Sequence, residues 1–232
     1  MAPSHLRVEH SPAGYRRLLL SRPERRNALD VGLAHALRDA LRQDEATPLV
    51  LGSTDPEAFC AGADMSIPDA DLATVSDLFY ECCEIMITRP GPVIAVVSGP
   101  AVGGGAQLAA AADLRIAGPA ARLRWIGPPG RGLAVGAWVL TDLVGRGAAM
   151  ELALTGRWVG AAEALAIGLV NRVEDDPGRV AAGIAAELAA RDSRASARVK
   201  SVMSAAGLLD RLHAERQANR AAWAQVIAPA GG

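Results

Sequence analysis

Apolar positions along the chain alternate between short uninterrupted runs and longer stretches with helical spacing, a pattern typical of an α/β protein. The clearest run is Val93–Val97, which has the length and the β-branched content of a strand buried on both faces. The clearest helical stretch is Leu72–Thr88, whose apolar residues recur every three or four positions. Asp30 stands directly before another helical stretch, where its side chain is a favourable N-cap.

The remaining elements follow from the same reasoning. Strands are expected at 15–21, 49–51, 114–117, 122–125 and 169–173, and helices at about 104–112, 161–167, 177–191, 196–206 and 209–226. No linker in this order is long enough to separate two independent domains. We therefore predict an α/β core over residues 1–174, followed by a helical region over residues 175–232.

Composition narrows the class of protein. With 232 residues, of which 50% are hydrophobic, the chain is long enough to bury one sizeable core. Its net charge of -1 and its 3% aromatic content argue against nucleic acid as a partner. Three cysteines without metal-ligand spacing indicate free thiols in a reduced, cytoplasmic setting and predict no metal site. Residues 91–112 carry no charge, but their prolines and glycines would interrupt a membrane-spanning helix, so no span is expected.

Two segments of small residues, Ala58–Asp64 and Ser98–Gln107, each follow an apolar run. A strand that ends in glycines and opens a helix directs unpaired N–H groups at one point, which favours an anion. That anion is either a phosphate or an oxygen that gains charge during a reaction, and a lone glycine-rich loop is also a common tight turn. The second segment lacks the lysine of a P-loop and the spacing of a dinucleotide fingerprint, so phosphate is the weaker interpretation.

Seven blocks of sequence occur in a characteristic order along nearly the whole chain. They are 22–29 (RPERRNAL), 59–64 (FCAGAD), 92–95 (PVIA), 99–105 (GPAVGGG), 112–115 (ADLR), 150–156 (MELALTG) and 161–171 (AAEALAIGLVN). In this order they resemble the crotonase superfamily, the enoyl-CoA hydratase/isomerase family. The resemblance implies a spiral of ββα units whose C-terminal helical region forms a homotrimer, often paired into a homohexamer. It also implies an acyl- or enoyl-coenzyme A thioester as substrate or ligand, with no permanently bound cofactor.

The resemblance also assigns roles to individual residues. The backbone N–H groups of Ala63 and Gly104 would form an oxyanion hole that holds the thioester oxygen, which agrees with the interpretation of the two segments as an anion site. Arg25, Arg26 and the backbone around Ala28 correspond to positions at which the family holds the nucleotide part of coenzyme A. For the two arginines, solvated surface charge is the alternative.

Four more residues are assigned to coenzyme A by the same resemblance. Ala61, Asp64 and Met65 lie in or beside the first segment, where the thioester is expected. Asp64 is also a candidate acid or base, with hydrogen bonding inside its own loop as the alternative. Lys200, the only lysine, lies in a block that resembles the C-terminal Ala-Lys segment of the family and is expected to reach a phosphate or to be solvated.

The chain departs from the hydratase pattern at both acid/base positions. Hydratases of this family use two glutamates around one water, and the first of them corresponds to Gln107, an amide that transfers no proton at ordinary pH. The second belongs after Trp125, yet no Asp, Glu or His occurs from Leu114 through Thr141. Hydration needs one group to activate water and another to protonate the α-carbon, so efficient hydration is not expected.

Three hypotheses about function stay open. In the first, the chain is an enzyme of enolate chemistry, such as isomerisation, that takes its acid or base from Tyr80, Glu81 or Glu84; Tyr80 alternatively packs in the core. In the second, it is a non-catalytic acyl-CoA-binding protein of fatty-acid metabolism in which Gln107 orients the thioester or a water. In the third, it is a scaffold subunit of a larger assembly whose helical tail matters more than its pocket.

Overall fold

A computed structural model describes residues 5–204 and 207–228. Its strands are β1 (Leu6–His10), β2 (Arg16–Leu20), β3 (Leu49–Ser53), β4 (Val93–Val97), β5 (Pro100–Val102), β6 (Leu114–Ala117), β7 (Arg122–Arg124), β8 (Val159–Gly160) and β9 (Arg172–Val173). Its helices are α1 (Val31–Leu41), α2 (Asp69–Thr88), α3 (Gly104–Ala110), α4 (Ala137–Thr155), α5 (Ala161–Ala166), α6 (Pro177–Ala189), α7 (Ser193–Ser204) and α8 (Leu208–Ile227).

The strands form two sheets. The larger has the order β1-β2-β3-β4-β6-β9, with β1 antiparallel to β2 and the other pairs parallel. The smaller has the order β5-β7-β8. In both β4-β5-α3 and β6-β7-α4 the chain contributes one strand to the larger sheet, one to the smaller sheet and then a helix. This repetition is the ββα unit of the predicted α/β spiral, and that prediction is confirmed.

Strand β4 is buried along its whole length, as the run Val93–Val97 predicts. Its alternate residues Ile94 and Val96 pack with Ala181 and Ala185 of α6, while the others join the main core. Both faces of the sheet are therefore covered, which explains why the strand has no polar position. Helix α1 begins where expected, because the Asp30 side chain accepts a hydrogen bond from Leu33 N at 2.7 Å.

Two of the differences from the predicted strands have a clear physical reason. Strand β1 was not predicted, because only Leu6 of its five residues is buried and an exposed edge strand has little apolar pattern. Leu169 and Val170 are buried but lie outside β9, since both of their N–H groups donate to Ala164 O and close the turn after α5. The ends of the predicted helix 196–206 and of the predicted region 175–232 lie outside the described residues.

The C-terminal helices pack on the spiral. Helix α8 lies against α2 and α4, and α7 lies against α2. In the described part of the chain, no helix combines the length and the apolar character that crossing a membrane requires.

Candidate functional site

A cavity opens between the two small-residue segments, helix α2, the loop 126–136 and helix α8. Its wall is mostly apolar and contains Leu29, Leu72, Val75, Phe79, Val102, Ile126, Leu133, Val135 and Trp223. The polar side chains in the wall are Ser76, Tyr80, Gln107 and Asn219. Over the described residues, the wall contains no Asp, Glu, His, Lys, Arg or Cys. An apolar pocket with a few polar groups suits an organic ligand with a long apolar part.

The two small-residue segments run side by side at one end of the cavity. Phe59 N donates to Pro100 O at 3.0 Å, and Val102 N donates to Cys60 O at 3.0 Å. Gly105 allows this approach, because a Cβ atom built on it would lie 2.2 Å from Cys60 O. Segments about forty positions apart in sequence are thus joined by backbone hydrogen bonds that only small residues permit.

The cavity exposes two backbone donors at this junction. Ala63 and Gly104 both line it, and the N–H group of neither has an acceptor among the described residues. We call these two groups the open donors. Gly104 is the first residue of α3, where helical N–H groups have no partner within the helix. Gly62, at a φ of 87°, lets the two loops approach each other, since a Cβ atom on it would lie 2.7 Å from Val102 O.

Gln107 also lines the cavity and is almost completely buried. Its Oε1 accepts a hydrogen bond from Trp138 Nε1 at 2.8 Å. Its Nε2 group has no acceptor in the part of the chain that the structure describes. The Gln107 side chain is therefore held in place and, as an amide, transfers no proton.

Tyr80 reaches the opposite side of the cavity and is locked in a buried network. Its hydroxyl donates to Glu215 Oε1 at 2.8 Å and accepts from Asn219 Nδ2 at 2.8 Å. Burial, reinforced by the charge of Glu215, raises the pKa of the Tyr80 phenol far above its ordinary value. Tyr80 therefore stays protonated, with its proton directed at Glu215 rather than into the cavity.

Glu215 and Asn219 lie on α8 and fasten the loop 126–136. Glu215 accepts from Gly136 N at 3.0 Å and from Trp138 N at 3.1 Å, at the start of α4. Burial raises the pKa of Glu215 above its ordinary value, against the opposing effect of these hydrogen bonds. Asn219 accepts from Ala134 N and donates to Ala134 O. The sequence reasoning missed both residues, and the only signal for them was their spacing of four positions on one helix face.

The structure does not place Glu81 in the cavity. Its carboxylate lies 3.4 Å from Arg216, 3.9 Å from Arg38 and 3.8 Å from Arg42. One position along a helix turns a side chain by about 100°, so Glu81 leaves α2 on a different side from Tyr80. Glu84 likewise pairs with His213 and Arg216. We therefore do not propose either glutamate as the acid or base of this cavity.

Asp64 stabilises the first segment from within. Its carboxylate accepts from Ser66 N and Ser66 Oγ, and from Arg22 Nη2 at 3.1 Å. Burial acts to raise the pKa of Asp64, but the hydrogen bonds from Ser66 and Arg22 outweigh it, so the pKa lies below its ordinary value. Asp64 does not line the cavity, whereas the neighbouring Ala61 and Met65 do. Its geometry is that of the alternative role, hydrogen bonding within the loop.

Lys200 is placed differently from the expectation that it reaches a phosphate. It is 8% exposed, and its ammonium group donates to Met86 O at 2.9 Å, to Gly91 O at 3.2 Å and to Asp113 Oδ2 at 2.8 Å. These contacts use all three of its protons. We correct its role to a structural one, in which it ties α7 to the core.

The remaining predicted coenzyme A contacts lie near one edge of the first segment. Arg25 and Arg26 are exposed at a short 3-10 turn (Pro23–Arg25), and Ala28 is buried just after it. Arg26 O accepts from Ala61 N at 3.0 Å, which fixes this turn against the first segment. Both arginine side chains are therefore available at a surface beside the cavity-lining Ala61.

Solved structures establish the class of this fold. The enoyl-CoA hydratase from Mycobacterium avium subsp. paratuberculosis K-10 matches with a TM-score of 0.84 and 28% identity, over 99% of this chain and 96% of that one. A structure described as a monofunctional enoyl CoA isomerase from M. smegmatis matches with a TM-score of 0.76 and 28% identity, over 90% of this chain and 98% of that one. The spiral is thus the crotonase fold.

Sequence comparison identifies the family. The enoyl-CoA hydratase/isomerase family model matches residues 12–230. The chain belongs to the enoyl-CoA hydratase/isomerase family. The Mycobacterium leprae protein named "Probable enoyl-CoA hydratase echA6" is 38% identical over 164 residues, which are 66% of this chain and 65% of that protein. The match thus spans slightly less than two thirds of the relative's own length.

Proposed function

We propose that this protein binds a coenzyme A thioester, whose carbonyl oxygen accepts hydrogen bonds from the open donors of Ala63 and Gly104. The observation that carries the proposal is this pair of donors at the end of an otherwise apolar cavity. A thioester oxygen satisfies both donors, and the apolar wall suits an acyl chain. The enzymes that the family members are named for act on enoyl-CoA, which supports the same ligand class.

We further propose that binding, and not hydration, is the function of this site. Hydration requires a group that activates water and a group that protonates carbon, yet the described wall offers a glutamine and a tyrosine that is hydrogen-bonded to Glu215. Isomerisation is the second candidate, because a solved relative is described as an isomerase and the Tyr80–Glu215 pair is the acid/base pair nearest the cavity.

A matched pair of variants at Gly104 tests the proposed binding mode. Proline is tolerated at the first position of a helix, and Gly104→Pro removes the open donor there. Gly104→Ala keeps the N–H group, and its Cβ atom fits at 3.4 Å from Leu29 Cδ1. Calorimetry with a saturated acyl-CoA should show at least about tenfold weaker binding for Gly104→Pro and near wild-type binding for Gly104→Ala. No measurable binding by the wild type would refute the proposal.

Turnover is tested with a trans-2-enoyl-CoA, by following both the loss of its conjugated double bond and the double-bond position of the product. We expect neither hydration nor isomerisation at rates typical of enzymes. Rapid hydration would contradict the interpretation of Gln107. Isomerisation that disappears in Tyr80→Phe would favour the second candidate, and isomerisation unchanged in that variant would exclude Tyr80 from it.

We also propose that Arg25, Arg26 and the backbone at Ala28 hold the nucleotide part of coenzyme A. The double variant Arg25→Ser/Arg26→Ser should bind acyl-CoA several-fold more weakly. An acyl-N-acetylcysteamine thioester, which lacks the nucleotide, is the matched control and should bind both proteins alike. Equal affinity of both proteins for acyl-CoA would assign these arginines to the solvated surface.

We propose that the helical region 175–232 forms the contacts of a homotrimer or homohexamer. Val199, Val202 and Met203 on α7 support this, because they are 58%, 75% and 76% exposed. Sedimentation velocity should show a trimer or a hexamer that Val202→Glu weakens. A monomer at micromolar concentration would contradict this assignment.

A further inference from the structure

The indole of Trp138 determines which way the Gln107 amide faces. An indole N–H group only donates, so its partner at 2.8 Å must be the amide oxygen and not the NH2 group. Both side chains are buried, so the contact is shielded from water. The NH2 group therefore points away from Trp138, and it has no acceptor among the described residues although Gln107 lines the cavity.

Gln107 lines the same cavity as Ala63 and Gly104, the residues of the two open donors. Gln107 comes three positions after Gly104 in α3, and residues at that spacing share one face of a helix. The polar groups of Tyr80 and Asn219 across the cavity are already engaged with each other, with Glu215 and with Ala134. The fourth polar side chain of the wall, Ser76, lies on α2 four positions before Tyr80, and not on α3. At the thioester end, the polar groups without a partner among the described residues are therefore N–H donors, namely Ala63 N, Gly104 N and Gln107 Nε2.

We infer that Gln107 selects a thioester with a second carbonyl at C3, that is, a 3-oxoacyl-coenzyme A. This inference rests on the proposed function. The two carbonyl oxygens of such a ligand are separated by a single methylene carbon, so Gln107 meets the second oxygen while Ala63 and Gly104 hold the first. A saturated acyl chain would cover the NH2 group without offering it an acceptor, which is the costly arrangement.

A C3 carbonyl also fits better than a C3 hydroxyl. A hydroxyl also carries a proton, which needs a hydrogen-bond acceptor, whereas the unpaired groups at the thioester end are N–H donors. Trp138 is a positioning residue in this scheme. Without its Nε1–H the Gln107 amide turns freely and presents either its oxygen or its NH2 group, so the discrimination weakens.

The test is calorimetry on the whole protein with 3-oxoacyl-, 3-hydroxyacyl- and saturated acyl-CoA of equal chain length. For the wild type we expect the 3-oxo ligand to bind about tenfold more tightly than the saturated ligand, with the 3-hydroxy ligand between them. Gln107→Met should abolish the difference, because the 3-oxo ligand loses its second donor. The saturated ligand leaves no NH2 group unpaired in this variant and should bind at least as tightly as to the wild type. Trp138→Phe should reduce the difference without abolishing binding.

Several results would overturn the inference. One is equal wild-type affinity for the 3-oxo and saturated ligands, which would leave the proposed function standing. Another is a 3-oxo preference that survives Gln107→Met. A third is an equal loss of affinity for the 3-oxo and the saturated ligand in Gln107→Met, which would mean that the amide binds the thioester oxygen instead. Failure of every ligand to bind the wild type would overturn the proposed function as well. If Gln107→Met does not fold, the wild-type comparison and Trp138→Phe decide.

Discussion

Two walls of the same cavity are built by different means. The loop wall, residues 58–64 and 98–107, is held by backbone hydrogen bonds and by glycines that permit close approach. The helix wall, made of α2, the loop 126–136 and α8, is held by side chains whose partners lie up to 143 positions away. A site made of backbone groups is therefore encoded in two short motifs, whereas a site made of side chains depends on how whole helices pack.

The two walls also treat polar groups differently. The loop wall leaves N–H donors open toward the cavity, while the helix wall turns its charges outward or into its own network. Asp77 on α2, for example, pairs with Arg216 and Arg220 on α8. The cavity thus offers hydrogen bonds to a ligand but little means of moving a proton.

Gly105→Ala should cause the largest loss of stability, because it adds a methyl group at the position where the two segments of the loop wall approach most closely. The new Cβ atom would lie 2.2 Å from Cys60 O, a backbone atom that cannot move aside. We expect the free energy of unfolding to fall by about 4 kcal/mol. Gly183→Ala on α6 is the control: nothing lies within 4 Å of its Cβ position, so it should stabilise by about 0.5 kcal/mol. Urea unfolding measures both, and equal effects would contradict the packing argument.

Glu215→Gln should have the next largest effect and tests the helix wall. In the wild type, Gly136 N and Trp138 N donate to the two carboxylate oxygens of Glu215. The amide of the variant replaces one of these oxygens with an NH2 group, which cannot accept a hydrogen bond. We expect a loss of about 3 kcal/mol in the free energy of unfolding. Glu187→Gln, on an exposed surface pair with Arg191, should change stability by less than about 0.5 kcal/mol. A small effect at Glu215 would mean that its network does not hold the helix wall together.

Lys200→Met should separate structural support from ligand binding. It removes three hydrogen bonds and leaves Asp113 without its buried cation, although Val93 N still donates to that carboxylate. A loss of about 2 kcal/mol is expected in thermal unfolding. The affinity for acyl-CoA should stay unchanged under conditions where the variant is folded. Weaker binding by the folded variant would restore the original prediction that Lys200 reaches coenzyme A.

Asp77→Asn should have the smallest effect, and that effect should depend on pH. The hydrogen bond from Arg216 and its charge hold the pKa of Asp77 below its ordinary value. The folded state thus favours the ionised carboxylate of Asp77. Its contribution to the free energy of unfolding is fully present above the ordinary pKa of an aspartate, and it is lost as pH falls through the lowered pKa of the folded state. Because Asp77 is about one-third exposed, we expect at most about 1 kcal/mol at pH 7. The stabilities of both proteins in urea unfolding should converge as pH falls through the lowered pKa of Asp77; a constant difference would exclude titration of Asp77 as its cause.

Helical spacing and apolar runs predicted β4 and α2, because those patterns report burial directly. The spiral was implied by the family resemblance of the sequence blocks. The same patterns did not distinguish Tyr80 from Glu81, since both lie on α2 one position apart. Only the packing of α8 and α1 against α2 decided that one faces Glu215 and the cavity while the other faces arginines.

By itself, the sequence determined the fold class, the two small-residue segments and the absence of an ionisable side chain at Gln107, because each is a property of residue type and local spacing. The tertiary structure alone decided where the Gln107 amide points, what Tyr80 bonds to and which acceptors Lys200 uses. Those hydrogen bonds join residues 31, 135 and 87 positions apart. They depend on how helices pack against the sheets, and such long-range packing leaves no periodic trace in the chain.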